Sequence, residues 1–418
     1  MMHIMPLANT YVRVFESAEP DRLFCFSPGL CALPGGRLVA TFDLGGPGAA
    51  ELDGPKGLSR TGKAAQARVA ISDDGGASWR QRVSLPFMHA RPFAAGGSLY
   101  VLGHCGDLMI ARSDDGGDTW SEPATLTVGG DWHQAPCNVH AAGGHIYIVM
   151  EKVLSRDIGA WPVSRMAPVL MRGRAGDDLT RPDSWTFASE LAAKELFTSA
   201  ELDYFGVPFL PEYEDVRPGR ANCAPTGWLE TNIVQFTDPA HYLSDPAGRT
   251  LHLWMRAHTG GTGYAAIAKV VEHADGTMTT MAETAPSGKK LVFVPCPGGQ
   301  MKFHIIYDEQ SALYWLLSSQ ATDSMTRADS LDAERFDLPN NERHRLQLHF
   351  SKNCIDWCFA GLVTAGASPK QTRHYASMAV RGDDMLVLSR SGDERAKDAH
   401  NSNLITLHTI RDFRRLMY

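Results

Sequence analysis

The same eight-residue phrase occurs twice in the chain, as Ser72-Asp73-Asp74-Gly75-Gly76-Ala77-Ser78-Trp79 and Ser113-Asp114-Asp115-Gly116-Gly117-Asp118-Thr119-Trp120. Each copy follows an apolar stretch, 67–71 and 108–111, that reads as a strand. An Asp-Gly-Gly core supplies positive φ without a Cβ clash, and its aspartate can bond to the backbone of its own turn. The Ser or Thr hydroxyl adds a second local bond. The Trp is large enough to fold over the turn and pack between neighbouring sheets. Repetition of so specific a turn means that the chain is built from copies of one small antiparallel unit.

Worn copies follow at 177–185 and 351–357, each with a polar turn and a Trp. Between the turns lie apolar runs broken by Gly or Pro: 38–42, 99–102, 146–150, 251–255, 313–317 and 385–388. Helical periodicity is poor throughout. Six units are counted, opening near Phe26, Arg91, Ala135, Ala224, Gly299 and Tyr375, and their uneven lengths leave room for a seventh. The intact copies match S-x-D-x-G-x-[ST]-W, so the chain resembles the Asp-box, sialidase-like superfamily. That resemblance implies an all-β fold, a β-propeller of four-stranded blades with the boxes at structural turns and the first strand of each blade lining a central channel. The stretch 11–16 is expected to supply the outer strand of the last blade and close the ring. The whole chain, 1–418, is read as one propeller domain. The long, aromatic and acidic segment 191–219 is read as an insertion walling the active site.

Composition excludes more than it suggests. The 418 residues carry a net charge of −7, with 44% hydrophobic and 21% charged residues. That balance offers no general attraction for nucleic acid or an anionic membrane, so neither is expected as a partner. No basic, apolar leader opens the sequence and no run has the length of a membrane span, which reads as cytoplasmic. The eight cysteines are scattered singly, apart from Cys354 and Cys358. Buried free thiols are expected, with no metal and no cofactor.

Sialidases carry an F-R-I-P sequence in the first blade, whose arginine grips the sialic carboxylate. Here the matching stretch is Cys25-Phe26-Ser27-Pro28, with Phe26 in the arginine's place. A phenylalanine cannot make a bidentate contact, so sialosides are expected to be poor substrates. Asp43 lies near that family's acid/base region. Histidines are the more conspicuous resource: His104, His133, His140, His258, His304 and His374 all sit at or beside strand ends.

The order His133, Tyr204, Arg220 is similar to the pattern of the propeller-type polysaccharide lyases, including the ulvan and rhamnose–glucuronate lyases. The resemblance implies β-elimination at a uronate; its chemistry suits Arg220 and Asn222 neutralising the carboxylate, with either His133 as base and Tyr204 as acid or Tyr204 as both. Trp132, His104, Arg256, His258, His304, Arg373 and His374 complete the expected substrate-binding set. Hydrolysis would need paired carboxylates or a tyrosine nucleophile. Asp107, Glu151, Asp203 and Glu230 are available, though nothing in the sequence singles one out. Ser389-Arg390-Ser391-Gly392-Asp393 reads as a turn, and Thr259 to Gly263 opens no helix and so is no nucleotide loop.

The sequence thus points to an enzyme cleaving an acidic oligosaccharide, a uronate-directed lyase first. An exo-glycosidase of the sialidase-like superfamily and a non-catalytic glycan- or protein-binding propeller are the alternatives.

Overall fold

Each of the six apolar runs becomes the second strand of an antiparallel sheet, flanked on both sides: Leu38–Gly45, Ser98–Cys105, His145–Val153, Thr250–His258, Leu313–Ser319 and Asp384–Ser391. A computed structural model describes residues 5–59, 62–158, 161–196, 227–258, 263–322 and 342–417. The inner strands are Phe24–Ala32, Met88–Ala95, Gly227–Val234, His304–Asp308 and Arg373–Arg381, with blade three opening on two short pieces, Trp132–His133 and His140–Ala142. Six blades result. The last one takes its outer strand from the other end of the chain, Val12–Glu16 pairing with Leu404–Ile410, so the ring closes as the sequence implies. Among the described residues α-helix is limited to the single turn Ala193–Leu196.

The Asp-boxes join third to fourth strands and behave identically. Asp74 accepts from Ser78 N–H at 2.9 Å and from the Ser72 hydroxyl at 2.8 Å; Asp115 does the same with Thr119 at 2.9 Å and Ser113 at 2.8 Å. Trp79 and Trp120 donate to Gly76 and Gly117 carbonyls, 3.1 and 3.0 Å away. Gly76 and Gly117 sit at φ 94° and 100°, a conformation that costs a residue with a Cβ. Arg37 then bridges the two boxes, reaching Asp73 at 2.6 Å and Asp118 at 2.7 Å.

Apolar burial falls between the blades, with a separate hydrophobic cluster at every junction. Trp315, fully buried between blades five and six, meets Phe350 at 5.6 Å and Phe413 at 4.9 Å. Trp315→Ala is expected to cost about 3–5 kcal/mol, read as a lower denaturant midpoint at unchanged slope.

Inner strands of neighbouring blades splay apart and cannot pair backbone to backbone. Buried polar side chains take over part of that task at each junction, which is why polar groups line the channel. Thr41 donates to Ala90 O at 2.5 Å, and Arg91 to Val149 O at 3.2 Å. Asn138 and Asn232 each bond the following blade through both amide atoms. Lys302 donates to Ala376 O at 2.5 Å, and Ser377 to Pro28 O at 2.8 Å.

Candidate active site

Four inner strands share a distortion that glycine does not explain. Ser27, His89, Glu230 and Tyr375 have φ of 46°, 58°, 58° and 50°, and each coincides with a register shift in its strand pair. A non-glycine residue in this region costs about 1–3 kcal/mol. A bulge inserts one unpaired residue and re-aims its side chain. Here all four side chains turn into the same cavity at one mouth of the channel, with a volume of about 990 Å³. Phe26, Asp43, His133, Trp161, Arg390 and His400 line it with them.

Tyr375 is the centre of the buried charge. Its hydroxyl accepts from Arg256 Nη1 at 2.9 Å, and the same nitrogen lies 3.3 Å from Glu230 Oε2. Arg256 is fixed by a second bond, Nε to the Gln300 carbonyl at 2.8 Å. Arg343 and Arg390 approach the Tyr375 ring, with guanidinium carbons 5.7 and 5.3 Å from its centroid. Burial, with the Glu230 charge, raises the phenol's proton affinity; the three arginines oppose that shift. Arg343 Nη1 donates to His374 Nδ1 at 3.1 Å, which assigns His374 as a neutral ring protonated on Nε2.

Opposite lies a group of imidazoles. His89 Nδ1 meets His104 Nε2 at 2.7 Å, and the His89 and His133 rings stand edge-on at 4.8 Å. Burial pushes His104 down to about 3 and His89 well below the usual range, so both are neutral near pH 7. His133 Nδ1 lies 3.9 Å from Glu151, whose carboxyl is raised by burial and held by the Thr231 hydroxyl at 2.8 Å. Trp161 stands between the two halves: His133 and His258 meet its ring at 5.9 and 5.7 Å, and Arg256 lies 5.7 Å from it.

Asp43 is the carboxyl fit to hold a proton here. It is buried on the second strand of blade one, opposite Phe26, and accepts from His89 N–H at 2.7 Å and weakly from Ala90 N–H at 3.5 Å. Burial outweighs these bonds and pushes its pKa up to about 7.

Of the residues expected from sequence, the fold brings His133, His104, Arg256 and His258 to this mouth. Tyr204, Arg220 and Asn222 lie outside the described residues, as does most of 191–219. Trp132 packs into blade three against Phe187 at 6.2 Å, away from the cavity. His304 lines the opposite mouth, where its Nδ1 accepts from Met378 N–H at 3.1 Å. Arg373 donates to the Thr372 and Gly392 carbonyls at 2.6 and 2.8 Å, outside the cavity, and His374 sits behind Tyr375. The segment read as a turn at Ser389–Ser391 is strand, and it delivers Arg390 to the cavity. Asp107 holds its own turn through Gly129 and Gly130 N–H groups at 2.9 and 2.7 Å. Ser27, His89, Trp161, Arg343 and Arg390 carried no functional signal in the sequence, Tyr375 was visible only as the opening of a unit, and Glu230 stood among four available carboxylates that nothing singled out. Among the described residues no three metal-ligating side chains are arranged to hold an ion.

No protein-family model matches the chain, and no curated protein does. Solved structures do match in shape. An α-L-arabinanase of Penicillium chrysogenum, complexed with arabinobiose, is 11% identical over 97% of this chain and 99% of that one, at TM-score 0.50. The Hadza microbial sialidase Hz136 is 13% identical over 96% of this chain and 68% of its own, at TM-score 0.56. A Dyadobacter fermentans protein of unknown function is 12% identical over 98% of this chain and all of its own, at TM-score 0.56. The shape they share with this chain is the β-propeller, here of six blades. Identities of this size speak for shape alone.

Proposed function

We propose that the protein is a retaining glycoside hydrolase acting on a carboxylate-bearing saccharide, with Tyr375 as nucleophile. One observation carries the reading: the Tyr375 hydroxyl and the Glu230 carboxylate share one arginine nitrogen inside a buried, sugar-sized cavity. In the first step Glu230 takes the phenolic proton while Tyr375 Oη bonds to the anomeric carbon. The bond to the leaving oxygen breaks, and Asp43 gives that oxygen its proton. In the second step the Asp43 carboxylate takes a proton from water, the water oxygen bonds to the anomeric carbon, and the Tyr375 bond breaks as Glu230 returns the proton. Two displacements leave the configuration unchanged. A phenol is uncharged until it attacks, so it does not repel an acidic sugar. The arabinanase and the sialidase of similar fold are both named for cleaving glycosides, which supports hydrolysis.

A second reading, elimination at a uronate, is favoured by the imidazoles of His89, His104 and His133 at the same cavity, with His133 as base. Product analysis separates the two. Incubated with uronate-containing and other acidic oligosaccharides in ¹⁸O-water, a hydrolase gives a saturated sugar labelled at the anomeric oxygen, and proton NMR shows the retained anomer first. An unsaturated product absorbing in the near ultraviolet, without label, would replace this reading with elimination.

A further inference from the structure

Phe26 removes the arginine that the first blade of a sialidase offers, yet the place is not left apolar. The Arg390 guanidinium lies 4.3 Å from the Phe26 centroid and 5.3 Å from that of Tyr375, between the two rings. It comes from the second strand of blade six and lines the cavity. Its Nη2 donates to the His400 carbonyl, and its Nε–H is buried with no acceptor among the described residues. The carboxylate of Asp398 acts on it from a distance, but is itself engaged by His400 N–H and Asn401 N–H, each at 2.7 Å, and by the Asn401 amide at 2.8 Å. Two further buried guanidiniums stand close by: Arg343, whose Nε–H also lacks an acceptor, and Arg256, which is paired with Glu230. A buried cation without a partner is costly, and a planar fork stacked on an aromatic face is well organised for a bidentate anion.

We infer that Arg390, seated on Phe26, is the specificity-determining residue that receives the substrate's carboxylate, taking over from blade six the role that an arginine in blade one would fill. The inference rests on the acidic-saccharide reading above and names the residue that makes it acidic. Burial and the neighbouring Arg343 charge depress the proton affinity of Arg390 to about 9, the direction expected of a cation awaiting an anion. Phe26 is then not a lost contact but a platform, and the carboxylate enters from a different side of the ring.

The test compares binding of D-glucuronate and N-acetylneuraminate with that of their carboxyl-reduced counterparts, by calorimetry or ligand-observed NMR, for the wild type and Arg390→Met. The wild type is expected to prefer the acids, and the variant to lose about 10–100-fold of that preference, the range of a charge-assisted contact. The ligand-free variant should melt at the same or a higher temperature, because an uncompensated buried charge has gone; a residue serving only the fold would lower it. A folded variant that keeps the preference within about twofold overturns the assignment while leaving the acidic reading standing. A wild type with no preference for the acids removes that reading, and Arg390's role with it. If Arg390→Met fails to fold, Arg390→Lys, which keeps charge and loses the fork, decides instead: a several-fold loss supports the role and an unchanged preference overturns it.

Discussion

Tyr375→Phe is expected to leave a folded propeller that binds its saccharide and turns it over more slowly by on the order of 10⁴ or more, the scale of losing a covalent nucleophile. The ring remains, so the packing against Ala135 and Met301 and the stacking of Arg343 and Arg390 on its face remain as well. What leaves is one oxygen, and with it the acceptor of the 2.9 Å bond from Arg256. Arg256 keeps Glu230 and the Gln300 carbonyl, so its position is not lost. KM should therefore change far less than kcat, because the missing bond to the anomeric carbon exists only along the reaction path. Turnover within tenfold of the parent, on any acidic saccharide the parent cleaves, would exclude the phenol as nucleophile and turn attention to the histidines across the cavity.

The parts of this molecule that the sequence displays are those decided locally. An Asp-box closes on itself through bonds spanning four residues or fewer, such as Asp74 to Ser78, so its motif survives in the chain as readable text. The six second strands are flanked on both sides, so their apolar runs are continuous and easily counted. The site was hidden for the opposite reason. Its four bulged residues belong to strands that look ordinary, and a neighbouring blade can help to hold such a backbone. Asp43, for instance, draws the His89 N–H toward blade one at 2.7 Å. Nothing in Met88-His89-Ala90 or Leu229-Glu230-Thr231 announces such a twist.

The arginines were obscured differently. Arg256 stood out because it ends a strand beside His258. Arg390 looked like part of a turn because Ser389 and Ser391 flank it and Gly392 follows. Those two serines are buried within the ladder, and Ser391 bonds Thr406 at 2.7 Å on the next strand. Short hydroxyl side chains at the crowded inner edge of a blade leave room for a long neighbour to cross toward the channel. A Ser-Arg-Ser triplet ending the second strand of a blade is thus better read as an arginine delivered inward than as a loop.

Asp43→Asn tests the other half of the chemistry, and its effect should depend on pH. With a pKa pushed up to about 7, the parent carboxyl is largely protonated below neutrality and can give its proton to the leaving oxygen. Above that pH the acid form is depleted tenfold per unit, so kcat/KM should fall along an alkaline limb with an apparent pKa near 7. Asparagine keeps an oxygen for the His89 N–H but has no proton to give. Turnover of a substrate with a poor leaving group should fall by about 10²–10⁴, and the alkaline limb should vanish. An activated aryl leaving group needs little protonation and should suffer far less in the first step.

Stability should move the other way. A carboxyl whose affinity for protons is higher folded than unfolded makes the folded state bind more protons between about pH 4 and 7, the interval from its ordinary value of 3.8 to its raised one. Parent stability is therefore lost as pH rises through that window, and an amide removes this loss. The variant's melting temperature should gain on the parent's from pH 5 to pH 8, while its activity stays low throughout. An Asp43→Asn protein with an unchanged alkaline limb, or with a melting difference that does not depend on pH, would show that this carboxyl only ties blade one to blade two.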